Sequence, residues 1–359
     1  MRFARRCSPM LLCLLVALPL LLSMSGCTKP APKEKVELTF FIFAGANQGV
    51  VAREVADEYM KKNPNVVIEF VESSNILMYP QMVSHKKLFP NKPLVNIGYF
   101  NSEKQAMGEA DDMWLTLDPA RIPNLKDILP VALCKNGKGV ATRLSPVGLM
   151  YNSQTCPTPP TSWLDLINPA YRGKIVLWDY IHYQNLMPIA YALTGDYKNV
   201  DKAFEAWAKN IDMIHSLQTG NEGLKQALVT GGGWINPRSS SLEKPWEKDS
   251  PIRYAIPKEG QFVQPIYLEI VKGSSEAQIK VAEELINILL SPQWSARDAE
   301  LMYVTPVNSK APMPESIKGD PAYAPEAVAK YWTMDWVWVG QVNQELSARW
   351  DREVKAKMR

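Results

Sequence analysis

His85, His182 and His215 lie far apart in the 359-residue sequence, and none sits in an HExxH or similar metal-ligand spacing. No GxSxG elbow offers a nucleophile, and Gly231-Gly232-Gly233 lacks the lysine and spacing of a phosphate loop. Catalytic residues, a metal centre and a cofactor are therefore not expected; an anchored hydrolase, whose catalytic groups would be assembled only in space, is the alternative class. The chemistry on offer is recognition. Aromatic rings stand beside small polar residues at Phe43 and Asn47, at Gly98, Tyr99 and Phe100, at Asp179, Tyr180 and His182 behind Trp178, at Thr219, Gly220 and Asn221, and at Trp234 and Arg238. Flat faces with a few directed polar groups suit a small polar molecule. Asp179 among rings would hold an amine through charge and cation–π contact. Arg238 and the backbone N–H groups at Thr219-Gly220-Asn221 would instead hold an organophosphonate, a phosphate ester or a carboxylate. Plainer roles stay open: Asp179 and Asn47 as helix caps, His182 as a solvated or capping residue, Arg238 with Ser239-Ser240-Ser241 as a flexible surface loop. Glu269 reads as a partnered structural acid within a strand.

Elements that would carry these residues follow from the apolar patterning. Val36 to Phe43 is rich in β-branched and aromatic residues, as a strand requires. A helix over Gln48 to Lys62 carries Val51, Val55 and Tyr59 on one face, stops at Asn63-Pro64, and precedes a strand from Val66. The two strands of such a βαβ unit should run parallel. Further strands are predicted at 93–100, 173–179, 231–235 and 267–271, with helices at 183–193, 200–211, 220–229, 276–290 and 334–355. The class is α/β. In open α/β sheets ligands bind outside the carboxyl ends of the strands, which is where the groups above fall. The tail stripe Trp336, Val339, Val342, Leu346 and Trp350 is expected to pack on the protein itself.

The length accommodates two domains, and 46% hydrophobic with 21% charged residues describes a globular chain. The net charge of +3 comes entirely from Arg2, Arg5 and Arg6, so nothing supports a nucleic-acid partner. Those arginines precede an apolar run from Met10 to Leu22 that is shorter than a spanning helix, the layout of a signal peptide. Ser25-Gly26-Cys27 resembles a bacterial lipobox. That resemblance implies cleavage of residues 1–26, a lipid on Cys27, a tether over 27–35 and a place on the outer face of a bacterial membrane. A secreted form without lipid and an uncleaved anchor are the alternatives. Cys134 and Cys156 would remain, as a disulfide or as two separate buried thiols.

Several motifs together resemble the extracellular solute-binding proteins of ABC importers, particularly the spermidine/putrescine-binding type with its iron(III)- and thiamine-binding relatives. They are Ala110-Asp111-Asp112-Met113-Trp114-Leu115-Thr116-Leu117-Asp118, Ser145-Pro146-Val147-Gly148-Leu149-Met150-Tyr151-Asn152, Pro160-Thr161-Ser162-Trp163-Leu164-Asp165-Leu166 and Pro257-Lys258-Glu259-Gly260, followed by Thr305-Pro306-Val307-Asn308. The resemblance implies two lobes, 36–144 with 265–309 and 145–264 with 310–359. A hinge joins them, the solute lies in the cleft, and a membrane permease with its ATPase receives it from a monomeric receptor. It also implies that Asp179 keeps one acidic position of the polyamine site, while His182 replaces a second, and Gln264 and Ile266 stand where an aromatic and an acid are expected. Trp234 and Tyr303 would supply aromatic walls. An amine-bearing solute is the first expectation and an anionic solute the second.

Overall fold

The computed structural model describes residues 34–45 and 47–358, so the signal segment, Cys27 and most of the tether lie outside the described residues. β1 (Val36–Phe43) buries Leu38, Phe40, Phe41 and Ile42, using both faces as an interior strand does. α1 (Val50–Lys62) packs Val51, Val55 and Tyr59 inward, and β2 (Val66–Ser73) pairs in parallel with β1, Val36 opposite Val66. The expected βαβ unit is present. Its helix begins later than expected: Gly49 is the cap, and the Asn47 side chain does not cap it. α2 (Asn75–Leu88) is capped by Ser74, and β3 (Ile97–Asn101) leads into α3 (Ser102–Ala110).

β4 (Val140–Asn152) follows and is the longest strand. β5 (Ile175–Trp178), α4 (His182–Thr194), α5 (Val200–Lys209), β6 (Ile214–Gln218) and α6 (Asn221–Val229) build the next layer. Gly195, at φ 75°, supplies the left-handed end of α4 that a side chain would strain. β7 (Ile235–Ser239), α7 (Ser240–Glu247), β8 (Ile252–Ala255) and β9 (Phe262–Ile270) come next. The strand expected at 231–235 thus begins only at Ile235. Ser239-Ser240-Ser241 is no flexible loop: it ends a strand and starts a helix, with Ser240 fully buried. α8 (Glu276–Leu289), α9 (Pro292–Met302), α10 (Pro325–Val328) and α11 (Trp336–Glu353) complete the chain. Among the described residues no helix is long and apolar enough to cross a membrane.

The strand order is β2-β1-β3-β9-β4-β7-β5-β6, with β8 also on β4. β4 pairs first with β9 and then with β7 and β8. Two main apolar cores divide along it. One gathers Leu38, Val55, Ile97, Leu144, Val263 and Leu285; the other gathers Val147, Leu177, Trp207, Phe262, Met334 and Trp350. The change of core therefore falls between Leu144 and Val147 on β4 and between Phe262 and Val263 on β9, where Ser145 stands opposite Gln264. A third segment passes the same place, the Thr305 N–H donating to the Leu144 carbonyl at 3.0 Å. α11 returns to lie on α3, burying Trp336, Val339, Leu346 and Trp350, so the tail stripe does pack on the protein itself.

Cys134 and Cys156 are both free. Cys134 packs against the first core and Cys156 belongs to the second, so no disulfide joins them. Glu269 is fully buried, but both carboxylate oxygens lack hydrogen-bond partners, and burial, with Glu109 nearby, raises its pKa well above the ordinary value. It is a buried core acid without the partner expected for it.

Candidate functional site

Three helices start around one hollow. Asn101, Ser102 and Glu103 at the start of α3, Ile181 and Tyr183 at the start of α4, and Trp336 at the start of α11 line a cavity of about 230 Å³. Arg238 from β7 and Gln264, Pro265 and Ile266 from β9 close it. Helix starts present unpaired N–H groups and partial positive charge. Asn101 caps α3, accepting from the Lys104 N–H at 3.0 Å, and Asp335 caps α11 through the Trp338 N–H at 3.1 Å. Ile181 precedes α4 and has no side chain that accepts; the Gln184 N–H donates to the Ile181 carbonyl at 3.0 Å, and no side chain caps the two N–H groups before it.

Arg238 is the one cation among the lining residues. Its guanidinium lies 4.5 Å above the Trp178 ring, and its Nε is buried without a hydrogen-bond partner. Burial lowers its pKa, and the groups that act on it electrostatically are Tyr183 and Tyr180, not acids. Isolating a charge in this way is costly unless a counter-charge arrives. Across the cavity, Gln264 donates its Nε2 to the Tyr183 hydroxyl at 2.8 Å, linking a crossing strand to α4. Burial pushes the Tyr183 phenol up to about 12, with Arg238 pulling it down, so it stays protonated near neutrality. Glu103 shares its charge with Lys104 at 3.5 Å.

Of the residues singled out in the sequence, Arg238 and Gln264 line this cavity. Asp179 is not a free carboxylate: Lys355 reaches both its oxygens, at 2.7 and 2.8 Å. His182 is neither solvated nor a cap; it is buried and stacked on Trp350 at 5.4 Å, and burial lowers its pKa. Tyr180 is exposed and meets Trp178 edge-on. Trp234 precedes β7, so four strand steps of about 3.3 Å put it roughly 13 Å from Arg238. There Lys174 Nζ lies 5.0 Å over its ring.

Tyr99 and Phe100 are core residues, and Gly98 has Phe41 packed where a Cβ would sit, 2.8 Å from the Phe41 Cβ. Phe43 is half-buried beside Phe41 and Tyr99. Tyr303 ends α9 at φ 51°, its hydroxyl 3.3 Å from Lys248 Nζ, away from the cavity lining. Asn47, Thr219, Gly220 and Asn221 are exposed and do not line it either. The aromatic amine box is therefore not assembled. Tyr183, Trp336, Ser102 and Pro265 were missed; the only signals were the place of Tyr183 after a strand end and of Trp336 on the tail stripe.

A larger cavity, about 550 Å³, is lined by Leu129, Val131, Pro306, Met313, Val328 and Tyr331 among others, with no charged side chain. Its polar lining, Thr305, Asn308, Ser309, Tyr323 and Tyr331, brings no charge to it.

A family model for bacterial extracellular solute-binding proteins matches residues 93–325. The chain belongs to this family. Comparison with curated protein sequences gave no match. Among solved structures, this binding protein resembles an ABC transporter protein from Clostridium perfringens with a TM-score of 0.74 and 21% identity, over 89% of this chain and 100% of that one. It also resembles the spermidine/putrescine substrate-binding protein PotD of Streptococcus pneumoniae, solved with calcium and HEPES (TM-score 0.70, 19% identity, 89% and 99% covered). A third is the periplasmic binding protein AfuA of Actinobacillus pleuropneumoniae with fructose-6-phosphate bound (TM-score 0.62, 17% identity, 90% and 99% covered). These likenesses show a shared two-lobe fold.

Proposed function

We propose that this solute-binding protein captures a small solute bearing a phosphate, phosphonate or carboxylate group between its lobes and hands it to an ABC permease without chemical conversion. One observation carries the reading: Arg238, half-buried with its Nε enclosed, stacked on Trp178 and without a protein counter-ion, faces a cavity ringed by three helix starts. An acid group there would gain a charge-assisted partner and the uncapped N–H groups of α4. The amine reading loses its main support because Asp179 is already neutralised by Lys355. A sugar phosphate in AfuA agrees with anion capture on this fold.

The lobes in this reading are 36–144 with 265–309, and 145–264 with 310–359, and they rotate where Ser145 faces Gln264. The Gln264–Tyr183 bond ties the hinge end of β9 to α4 within the second lobe, and solute biases the hinge by binding the closed state more tightly. Cys27 carries the lipid that keeps the receptor at the membrane beside its permease. A thermal-shift screen of phosphonates, phosphosugars, carboxylates and polyamines tests the choice. An acid at a hundredfold excess over its Kd stabilises by about 2.7 kcal/mol. Selective stabilisation by polyamines, retained in Arg238→Met, would defeat the anion reading.

A further inference from the structure

A second polar cavity, of about 410 Å³, lies between α7, β8 and the segment 316–321. Three carboxylates line it, Glu243 and Glu247 from α7 and Asp320 from the segment, along with Lys244, Arg253 and Lys318. The cations are already occupied. Lys244 pairs with Asp320 and, at 2.8 Å, with Glu247. Arg253 donates to the carbonyls of Ser250 and Ile252 at 2.9 and 2.7 Å, and Lys318 pairs with Glu315 at 2.6 Å. Glu243 is the remainder: 1% exposed, with its Oε2 buried and without a hydrogen-bond partner. A carboxyl left in that state is costly, and a cation entering the cavity would relieve it.

We propose that this cavity is a second binding site, for a small primary ammonium compound, with Glu243 as its counter-ion. The rings of Tyr151 and Tyr254 line the same space and suit an ammonium with a short apolar stem. The volume exceeds a bare ion many times over, given roughly 30 Å³ for one water. Among the described residues no group of three acids, histidines or cysteines is placed to hold a metal. The site is separate from the cleft around Arg238, with which it shares no lining residue.

Burial, then Glu247, pushes the Glu243 carboxyl up to about 8, with Asp320 adding and Lys244 and Arg253 opposing. Tyr151, Tyr254 and Lys318 are the other titratable groups on the cavity wall. Ammonium binding therefore has to expel a proton at pH 7. The test is calorimetric titration of the full chain with ethylammonium chloride, against sodium chloride at equal ionic strength, in two buffers of different ionisation enthalpy. The expected result is saturable binding with release of close to one proton at pH 7, weakening roughly tenfold from pH 7 to pH 6. Glu243→Gln should bind at least tenfold more weakly and release no proton. Absence of saturable binding, equal binding by Glu243→Gln, or wild-type affinity flat between pH 6 and pH 8 would overturn the proposal; the last needs no variant to fold. None of these outcomes bears on anion capture at Arg238.

Discussion

Replacing Arg238 by Met should move the protein in opposite directions with and without solute. In the free protein the half-buried guanidinium has no counter-ion and no hydrogen bond at its enclosed Nε, and only the Trp178 face at 4.5 Å opposes that cost. An effective desolvation penalty of several kcal/mol per ion, less about 0.5–2 kcal/mol of cation–π attraction, leaves a net cost of about 1–3 kcal/mol. Methionine keeps the contact with Trp178 through its own sulfur–aromatic packing. Arg238→Met should therefore raise the melting temperature of the unliganded protein by a few degrees, using about 2–4 °C per kcal/mol for domains somewhat smaller than this chain. With an acid ligand the order reverses. Wild type gains about 2.7 kcal/mol at a hundredfold excess over Kd. The variant, having lost a charge-assisted contact of about 1.5–3 kcal/mol, binds some ten- to a hundredfold more weakly. Differential scanning fluorimetry of both proteins, free and with the screened ligand, reads all four states. A variant that melts below wild type when free yet keeps the full ligand shift would refute the reasoning.

Other consequences are more local. Arg143 and Asp298 form a buried bidentate pair at 2.7 and 2.8 Å, with Gln48 held at 2.8 Å on the far side of the guanidinium. Asp298→Ala should cost about 3–5 kcal/mol because it strands the arginine, and a urea midpoint shift worth under 1 kcal/mol would contradict that. Glu243 is held above its ordinary carboxyl value, so its stabilising contribution is whole below about pH 4.5 and disappears as pH climbs to about 8. Wild type should lose on the order of a few kcal/mol across that window, and Glu243→Gln should lose less; parallel melting curves from pH 5 to pH 8 would count against it. Gly98→Ala must push on Phe41 and should cost about 1–3 kcal/mol in urea unfolding, whereas a neutral result would mean that the sheet yields there.

The fold was readable where local signals agree. β1, α1 and β2 announce themselves through an apolar run, a helical stripe and an Asn-Pro stop, and α8 through its serine cap and apolar face. The crossing region was much less legible. β4, β7 and β9 carry Pro146, Pro237 and Pro265, and proline inside an interior strand ordinarily argues against one. Here β4 exchanges β9 for β7 and β8 around Pro146, whereas Pro237 and Pro265 stand within the paired registers, opposite Leu149 and Leu144 of β4.

For the site, Arg238 and Gln264 could be named from strand ends and family motifs, but their company could not. Lys355 reaches Asp179 across 176 residues of sequence, and Trp336 arrives from the tail. Strand-end aromatics such as Tyr99 and Phe100 have the composition of a binding wall and the burial of a core. Periodicity does not separate those two cases, because both require apolar surface at the same positions.

The central claim is that Arg238 waits for the negative charge of a solute. It is tested most directly by measuring, in one titration calorimetry series, the affinity of wild-type protein for the acid found in the screen and for its neutral amide or ester. The acid should bind at least tenfold more tightly, with the gap closing in Arg238→Met. Equal affinity for the charged and neutral forms in wild-type protein would contradict it.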